Sequence, residues 1–250
     1  MSEAETRRVA LVTGGTKGIG AAIARRLADA GWSVVVTARN APEAPDDRIA
    51  FMPCDIRQAD AAVALVEAAA ARHGRLDLLV NNAGGAPEVA SADASPRLHE
   101  AVIALNLTAP LHLSQAAYRV MRGGDGGSIV NIASLSGVRP SPGTAAYGAA
   151  KAGLLSLTRS LAMEWAPRVR VNALIVGLAE TEAALKHYGG TEGVARVGAA
   201  VPMGRMARGG DIAEAVLWLA SDAAAYVTGA EIALHGGGER PPFLAQARTD

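Results

Sequence analysis

Tyr147 and Lys151, in the stretch YGAAK, stand four residues apart. On a helix that spacing puts two side chains on one face, within reach of each other. A free tyrosine ionises near ~10 and is a poor acid–base group at neutral pH. An ammonium beside it favours the phenolate and draws that pKa toward the working range. Such a pair can move a proton on and off an alcohol or carbonyl oxygen. The same spacing also occurs on many surface helices where it does nothing, so its weight depends on the rest of the chain.

A second chemical signal lies upstream. TGGTKGIG, residues 13–20, follows a short apolar run and opens an alanine-rich helical stretch. A glycine-rich strand-to-helix turn lets backbone N–H groups approach a pyrophosphate, which then sits at the positive end of the helix. Gly14 is expected to make the turn, Gly18 the close approach and Gly20 the helix–strand packing. Thr16, Lys17 and Ile19 complete the expected cofactor-binding turn. Its spacing is GxxxGxG, not GxGxxG, and GxxxxGK[ST] is absent, which speaks against an NTPase. Adenosine specificity should be set where the second strand ends, at Thr37–Ala38–Arg39. No acid is there to bind ribose hydroxyls. Arg39 and Lys17 supply two cations, which favours NADP(H) over NAD(H). The alternative is that Arg39 is a solvated loop arginine.

The elements that must hold these groups are legible as alternating apolar runs and helical segments. Strands are expected at 9–13, 33–38, 49–54, 76–80, 128–133, 169–174 and 231–235. Their continuous apolar character suits a parallel sheet buried on both faces. Helices are expected near 18–30, 59–73, 97–121, 145–166 and 211–221. His73–Gly74 reads as a helix end, and Asp211 as an N-cap with Glu214 completing a capping box. The alternation predicts one α/β domain over 1–250, a doubly wound Rossmann-type fold with a seven-stranded parallel sheet and helices on both faces. Two stretches read as irregular, 84–96 and 177–204. In the second, Gly189, Gly190, Gly193, Gly198 and Gly204 are expected to hinge a short helix that serves as a substrate lid; an ordinary surface loop is the alternative. His187 and Tyr188 fall within it and face either substrate or solvent. His73 reads as a helix-end residue and His235 as following the last strand, while His99 and His112 lie in a helix without a ligand partner.

Composition narrows the function further. The 250 residues are 50% hydrophobic with zero formal net charge. There is no basic excess to suggest nucleic acid and no acidic tail. Cys54 is the single cysteine, which excludes an intrachain disulfide and fits a reducing compartment. It reads as a small core residue. No HEXXH or CXXC pattern suggests a metal site. The N-terminal apolar run is too short for a signal segment, and no stretch is long enough to span a membrane. A cytoplasmic protein with no membrane partner is the expectation.

With TGGTKGIG, NNAG (81–84), Ser134 and YGAAK in this order, the chain resembles the short-chain dehydrogenase/reductase family from Val9 to about Gly238. The resemblance implies that NNAG stabilises the sheet edge and lines the adenine–ribose site with Asn82, Ala83 and Gly84. It implies that Asp55 and Ile56 contact adenine. Ala38 stands where NAD-preferring members carry an acid, and Arg39 matches the basic position of NADP-preferring ones. The family's catalytic tetrad falls on Asn106, Ser134, Tyr147 and Lys151. By resemblance Tyr147 exchanges the substrate proton and Ser134 holds the substrate oxygen; Ser136 is the rival serine, with the wrong spacing to Tyr147. Lys151 lowers the Tyr147 pKa and binds the nicotinamide ribose, and Asn106 holds a water in a proton relay. Gly177 and Thr181 match the nicotinamide-facing loop, but Val176 stands where the family carries proline, so this loop is expected to be less constrained.

The implied function is an NADP(H)-dependent oxidoreductase interconverting a small-molecule secondary alcohol and a carbonyl compound. A 3-oxoacyl-thioester (acyl-carrier-protein) reductase is the alternative within the class. Lys186, Arg196, Arg205 and Arg208 are too scattered to mark a carrier-docking patch. A dinucleotide-sensing protein without turnover is the alternative outside it. A homotetramer, joined through 97–121 and 145–166 and with the tail ERPPFLAQARTD at a subunit interface, is also implied.

Overall fold

The computed structural model describes residues 7–239. The tail expected at a subunit interface lies almost wholly outside them. Seven strands form one parallel sheet in the order β3-β2-β1-β4-β5-β6-β7. They are β1 Val9–Thr13, β2 Ser33–Ala38, β3 Ile49–Pro53, β4 Leu78–Asn81, β5 Gly127–Ser134, β6 Val169–Val176 and β7 Glu231–Leu234. The order reverses between β1 and β4. In open α/β sheets a ligand crevice forms at the carboxyl ends of the strands at such a switch point.

Both faces of the sheet are covered, which is why β1 and the middle of β2 are apolar without alternation. On one face lie α2 (Ala59–His73), α4 (Ala109–Met121) and α5 (Ala145–Trp165), with Leu11, Leu79, Leu113 and Ile129 in the shared core. Tyr118 of α4 stacks on Trp165 of α5, ring centroids 4.6 Å apart. On the other face lie α1 (Gly18–Asp29) and α8 (Gly209–Ala220), closing over Val12, Ile23, Val36 and Ile212. Gly74, in the left-handed region at φ 76°, ends α2 where the sequence places a stop.

Three details depart from expectation. The helix over 97–121 is interrupted: α3 (Pro96–Ile103) and α4 are separated by a π-helical turn at Ala104–Thr108. Residue-type periodicity does not report a single widened turn. The segment 177–204 holds two short helices, α6 (Glu182–Tyr188) and α7 (Thr191–Gly198). The chain bends at Gly189 and Gly190, both with positive φ. Gly193 and Gly198 are no hinges: a Cβ on either would meet backbone, of Tyr188 and of Met206 respectively. Asp211 is not the N-cap of α8. It sits at the third helical position and accepts the Arg208 backbone N–H at 2.7 Å, while Glu214 pairs with Arg26.

Candidate active site

Packing brings Ser134 to Tyr147. Ser134 ends β5, and the chain then makes a tight turn over Leu135–Gly137 against α5. That approach needs two glycines. A Cβ on Gly137 would stand 2.8 Å from the Lys151 carbonyl carbon, and one on Gly148 would stand 2.9 Å from the Ser136 carbonyl oxygen. The glycine of YGAAK is therefore part of the site's geometry. The Ser134 hydroxyl accepts the Ser136 N–H at 3.2 Å, and Ser134, Tyr147 and Lys151 share the wall of one cavity of about 560 Å³.

The electrostatics differ from the simple picture of a lysine pulling a tyrosine down. Lys151 is only 3% exposed, and this desolvation lowers its pKa to about 8. Its ammonium donates to the Ile132 carbonyl at 2.7 Å and lies 5.7 Å from the centroid of the Tyr147 ring. Burial raises the Tyr147 pKa, and the hydrogen bond from Ser134 opposes that rise only in part. Tyr147 is thus raised, where a depression was expected, because desolvation of the phenolate outweighs its one opposing contact, with Ser134.

Asn106 sits inside the π-helical turn, fully buried. Its amide oxygen accepts the Gly85 N–H at 2.9 Å, and its amide nitrogen donates to the Gly85 and Val102 carbonyls, each at 2.9 Å. The side chain therefore clamps the loop after NNAG and does not line the cavity. π-turns concentrate at functional positions because the widened turn re-aims one residue. Here it aims Asn106 at Gly85. A Cβ on Gly84 would lie 2.6 Å from Asn106 Oδ1 and 3.2 Å from Lys151 Nζ, so only glycine fits between the two.

The other end of the cavity has the features of a dinucleotide cradle. Gly14 and Gly18 take positive φ, 64° and 53°. Gly20 packs against the Gly14 carbonyl and, at 2.5 Å from an added Cβ, Asn82 Nδ2. It thus seats α1 on the turn and on the loop after β4. Gly15, against Val36 of β2, makes the direct strand contact expected of Gly20. α1 begins with no side-chain cap and no acid in its first turn, which leaves its N–H groups for an external anion. Asn82 donates to the Thr13 and Gly14 carbonyls, joining β4 to the glycine turn.

Gly14, Lys17, Gly18, Ile19 and Gly20 line the cavity, as do Arg39, Asp55, Ile56, Asn82, Ala83 and Gly84. Gly177 and Thr181 line it as well, but Thr16 does not. Thr37, beside the cavity, is fully buried, and its hydroxyl has no partner among the described residues. These features fit a nicotinamide dinucleotide, with the glycine turn and α1 holding its phosphates and Tyr147 and Lys151 at its other end.

Sequence reasoning missed several wall residues. Cys54, half-buried at the carboxyl edge of β3, packs against the core as expected and also lines the cavity. Arg57 lines it two residues beyond Asp55, a spacing that offered the signal. From the segment 177–204, Glu182 and Ala183 reach the wall, whereas His187 and Tyr188 do not. The Val176 loop is held by backbone pairing in place of proline. Gly177 N–H donates to Leu234 at 3.2 Å, Glu180 N–H to Ala207 at 2.8 Å and Ala207 N–H to Leu178 at 2.9 Å. A smaller recess beside Tyr147 is lined by Pro87, Val89, Leu98, His99 and Val102, so the irregular 84–96 stretch does face the reacting end.

A family model described as enoyl-(acyl carrier protein) reductase matches residues 14–239. Cis-4-hydroxycyclohexanecarboxylate dehydrogenase of Sinomonas cyclohexanicum is 39% identical over 249 residues, covering 95% of this chain and 98% of that protein. Dehydrogenase/reductase SDR family member 4 of Pongo abelii is 35% identical over 242 residues, covering 92% of this chain and 87% of that one. The crystal structure of a single-substitution variant of actinorhodin polyketide ketoreductase with NADPH superposes with a TM-score of 0.84 at 33% identity, over 92% of this chain and 97% of that one.

Proposed function

The chain belongs to the short-chain dehydrogenase/reductase family and is an oxidoreductase, and from that premise we propose that it is NADP(H)-dependent and interconverts a small secondary alcohol and its carbonyl compound. The observation that carries this reading is one cavity with Ser134, Tyr147 and Lys151 at one end and Lys17 and Arg39 at the other. When bound, the nicotinamide supplies or accepts the hydride. The protein's own part is then to manage charge at the substrate oxygen. Tyr147 gives that oxygen a proton in reduction and takes it in oxidation, and a raised pKa keeps the phenol protonated for the former. Ser134 donates a second hydrogen bond to the same oxygen, stabilising charge as it develops. Lys151, with a pKa of about 8, is poised to release and regain a proton near neutral pH and to hold ribose hydroxyls. Asn106 fixes the loop behind them.

Support for NADP(H) comes from the adenosine end. Among the described residues Lys17 and Arg39 take part in no ion pair, and β2 ends without an acid. The NADPH in the ketoreductase neighbour points the same way. A small free substrate is supported by the dehydrogenase relative, which is named for a hydroxycyclohexane carboxylate. The carrier-bound alternative draws on the family model's description, but Arg205 is committed to Asp211 at 2.7 Å and Arg208 lies 3.8 Å from Glu180. Arg208 is held only loosely, and Lys186 and Arg196 take part in no ion pair among the described residues, so the carrier-bound reading stays as the alternative.

The test is Tyr147→Phe. We expect turnover to fall by at least about a hundredfold, the scale of a lost general acid, with NADPH affinity kept. Full activity in that variant would remove Tyr147 from the mechanism. Binding without turnover in the wild type, across a panel of ketones and alcohols, would favour the dinucleotide-sensing reading. No helix among the described residues is long and apolar enough to cross a membrane, and we place the enzyme in the cytoplasm. A homotetramer is supported by the outer face of α5, where exposed Ala149, Ala152, Ser156 and Ser160 lead to Met163 at 86% exposure. Trp218 of α8 and Tyr226 are also exposed. Sedimentation at the mass of a single chain would sink that assignment.

A further inference from the structure

Asp55 stands on the wall of the adenosine end together with Arg39. A carboxylate there is awkward for a cofactor carrying a 2′-phosphate. It repels the phosphate, and it is a ready ion-pair partner for the arginine meant to receive it. Neither conflict arises, because Arg57 takes Asp55 side-on. Its Nε donates to Oδ1 at 2.9 Å and its Nη2 to Oδ2 at 2.5 Å. The Arg57 backbone N–H adds a third bond to Oδ1 at 3.2 Å. Two parallel N–H···O bonds from a planar fork use the carboxylate's best directions. Arg39 is near enough to act on the same carboxyl. Arg57 chiefly, and Arg39 at longer range, hold it below the usual carboxylate range. Yet Arg39 forms no ion pair among the described residues.

We propose that Arg57 is a positioning residue for cofactor choice: by clamping Asp55 it keeps that carboxylate off Arg39 and cancels its charge, leaving Arg39 for the adenosine 2′-phosphate. This rests on the NADP(H) reading and deepens it. Losing Arg57 has two effects of one sign. Asp55 is released to pair with Arg39, and a bare negative charge faces the phosphate. Both weaken NADPH and spare NADH, which lacks the phosphate. Both vanish if Asp55 is made neutral as well. Any contact between Asp55 and adenine is common to the two cofactors and cancels in their ratio.

The experiment is fluorescence titration of NADPH and NADH into the full chain as wild type, Arg57→Ala, Asp55→Asn and the double variant, at fixed low salt. We expect the wild type to prefer NADPH. Arg57→Ala should reduce that preference by about five- to tenfold, the scale of one partly screened charge contact. The double variant should recover the preference of Asp55→Asn. Arg57→Lys, which keeps the charge and loses the fork, should fall between, and it carries the test should Arg57→Ala not fold. Equal weakening of both cofactors by Arg57→Ala would mean that the pair merely shapes the loop, and would overturn the proposal. A lowered preference that Asp55→Asn does not restore would overturn it too, since Arg57 would then act on the phosphate directly. A wild type that prefers NADH overturns the NADP(H) reading itself, an outcome visible before any variant is compared.

Discussion

Lys151 carries a prediction that depends on its burial and on nothing else about the mechanism. Its pKa falls from 10.5 to about 8 on desolvation. For a base with a depressed folded-state value, the unfolded chain binds the proton over a range in which the folded chain does not. Stability therefore rises with pH across that window. Below it both states are charged, and burying the cation costs about 3 kcal/mol at ~1.36 kcal/mol per pKa unit. Comparing the wild type with Lys151→Met removes the other titrating groups to first order. The variant also leaves the Ile132 carbonyl without its partner, but that penalty does not change with pH. Integrating the two titration curves from about pH 7.5 to about pH 9.5, the wild type should gain about 2 kcal/mol over the variant. The window stops there because Tyr147, whose ring faces Lys151, titrates differently once the lysine is gone, and it contributes with the opposite sign at higher pH. Its raised pKa adds stability that is present below the unfolded value and lost above it. Urea unfolding of both proteins at several pH values measures the difference. Parallel curves, with a gap constant to within about 0.5 kcal/mol, would refute the reasoning. Lys151 would then be hydrated, or its charge compensated by a group outside the described residues.

Arg39→Asp should shift preference from NADPH toward NADH by about tenfold or more, within the ~1–3 kcal/mol of a charge-assisted hydrogen bond. Paired titrations check it, and an unchanged ratio would take Arg39 out of the cofactor site. Gly84→Ala should push Asn106 off Gly85 and crowd Lys151, since Asn106 Oδ1 would stand 2.6 Å and Lys151 Nζ 3.2 Å from the new methyl. We expect activity to fall by more than about tenfold, with a stability loss of about 1–3 kcal/mol for the unpaired amide groups. A fully active Gly84→Ala enzyme would show that the Asn106 clamp is dispensable.

What the sequence disclosed, and what it withheld, divides along a physical line. Strands β1 and β2 are buried on both faces, so each must be apolar at almost every position, and burial of that kind is written directly in residue type. The glycine turn is legible for the opposite reason: Gly14 and Gly18 hold positive φ, which few other residues tolerate. Tyr147 and Lys151 were readable because helical spacing alone puts them on one face. Geometry set by contact between distant segments was not readable. Ser134 reaches Tyr147 only because Gly137 and Gly148 let a turn lie flat on α5. The π-turn that aims Asn106 at Gly85 widens one turn without changing which residues are apolar. Cys54 ended an apolar run and so read as core, against which it does pack, but the strand stops at Pro53, and the next residue also falls on the crevice edge. Asp211 has the right residue type for a cap, yet the helix starts at Gly209 and uses it from inside.

The charges of the cleft follow a common plan in which neighbours decide which group stays available. At the adenosine end a fork from Arg57 removes Asp55 from competition, and Arg39 is left without an ion pair among the described residues. At the reacting end the ammonium of Lys151 has, among the described residues, a backbone carbonyl and no carboxylate for a partner. A carboxylate there would hold the proton on the lysine and drive its pKa upward. Burial without a counter-ion does the reverse and sets it near neutrality, where a proton can be handed on. The same choice makes the site destabilising. A buried ammonium with one carbonyl partner is among the costlier groups a core can hold, and the fold carries it at the helix that also supplies Tyr147. The pH dependence of stability and the readiness of Lys151 to exchange a proton are therefore two readings of one desolvation. A variant that introduced an acid within reach of Lys151 Nζ should lose both together.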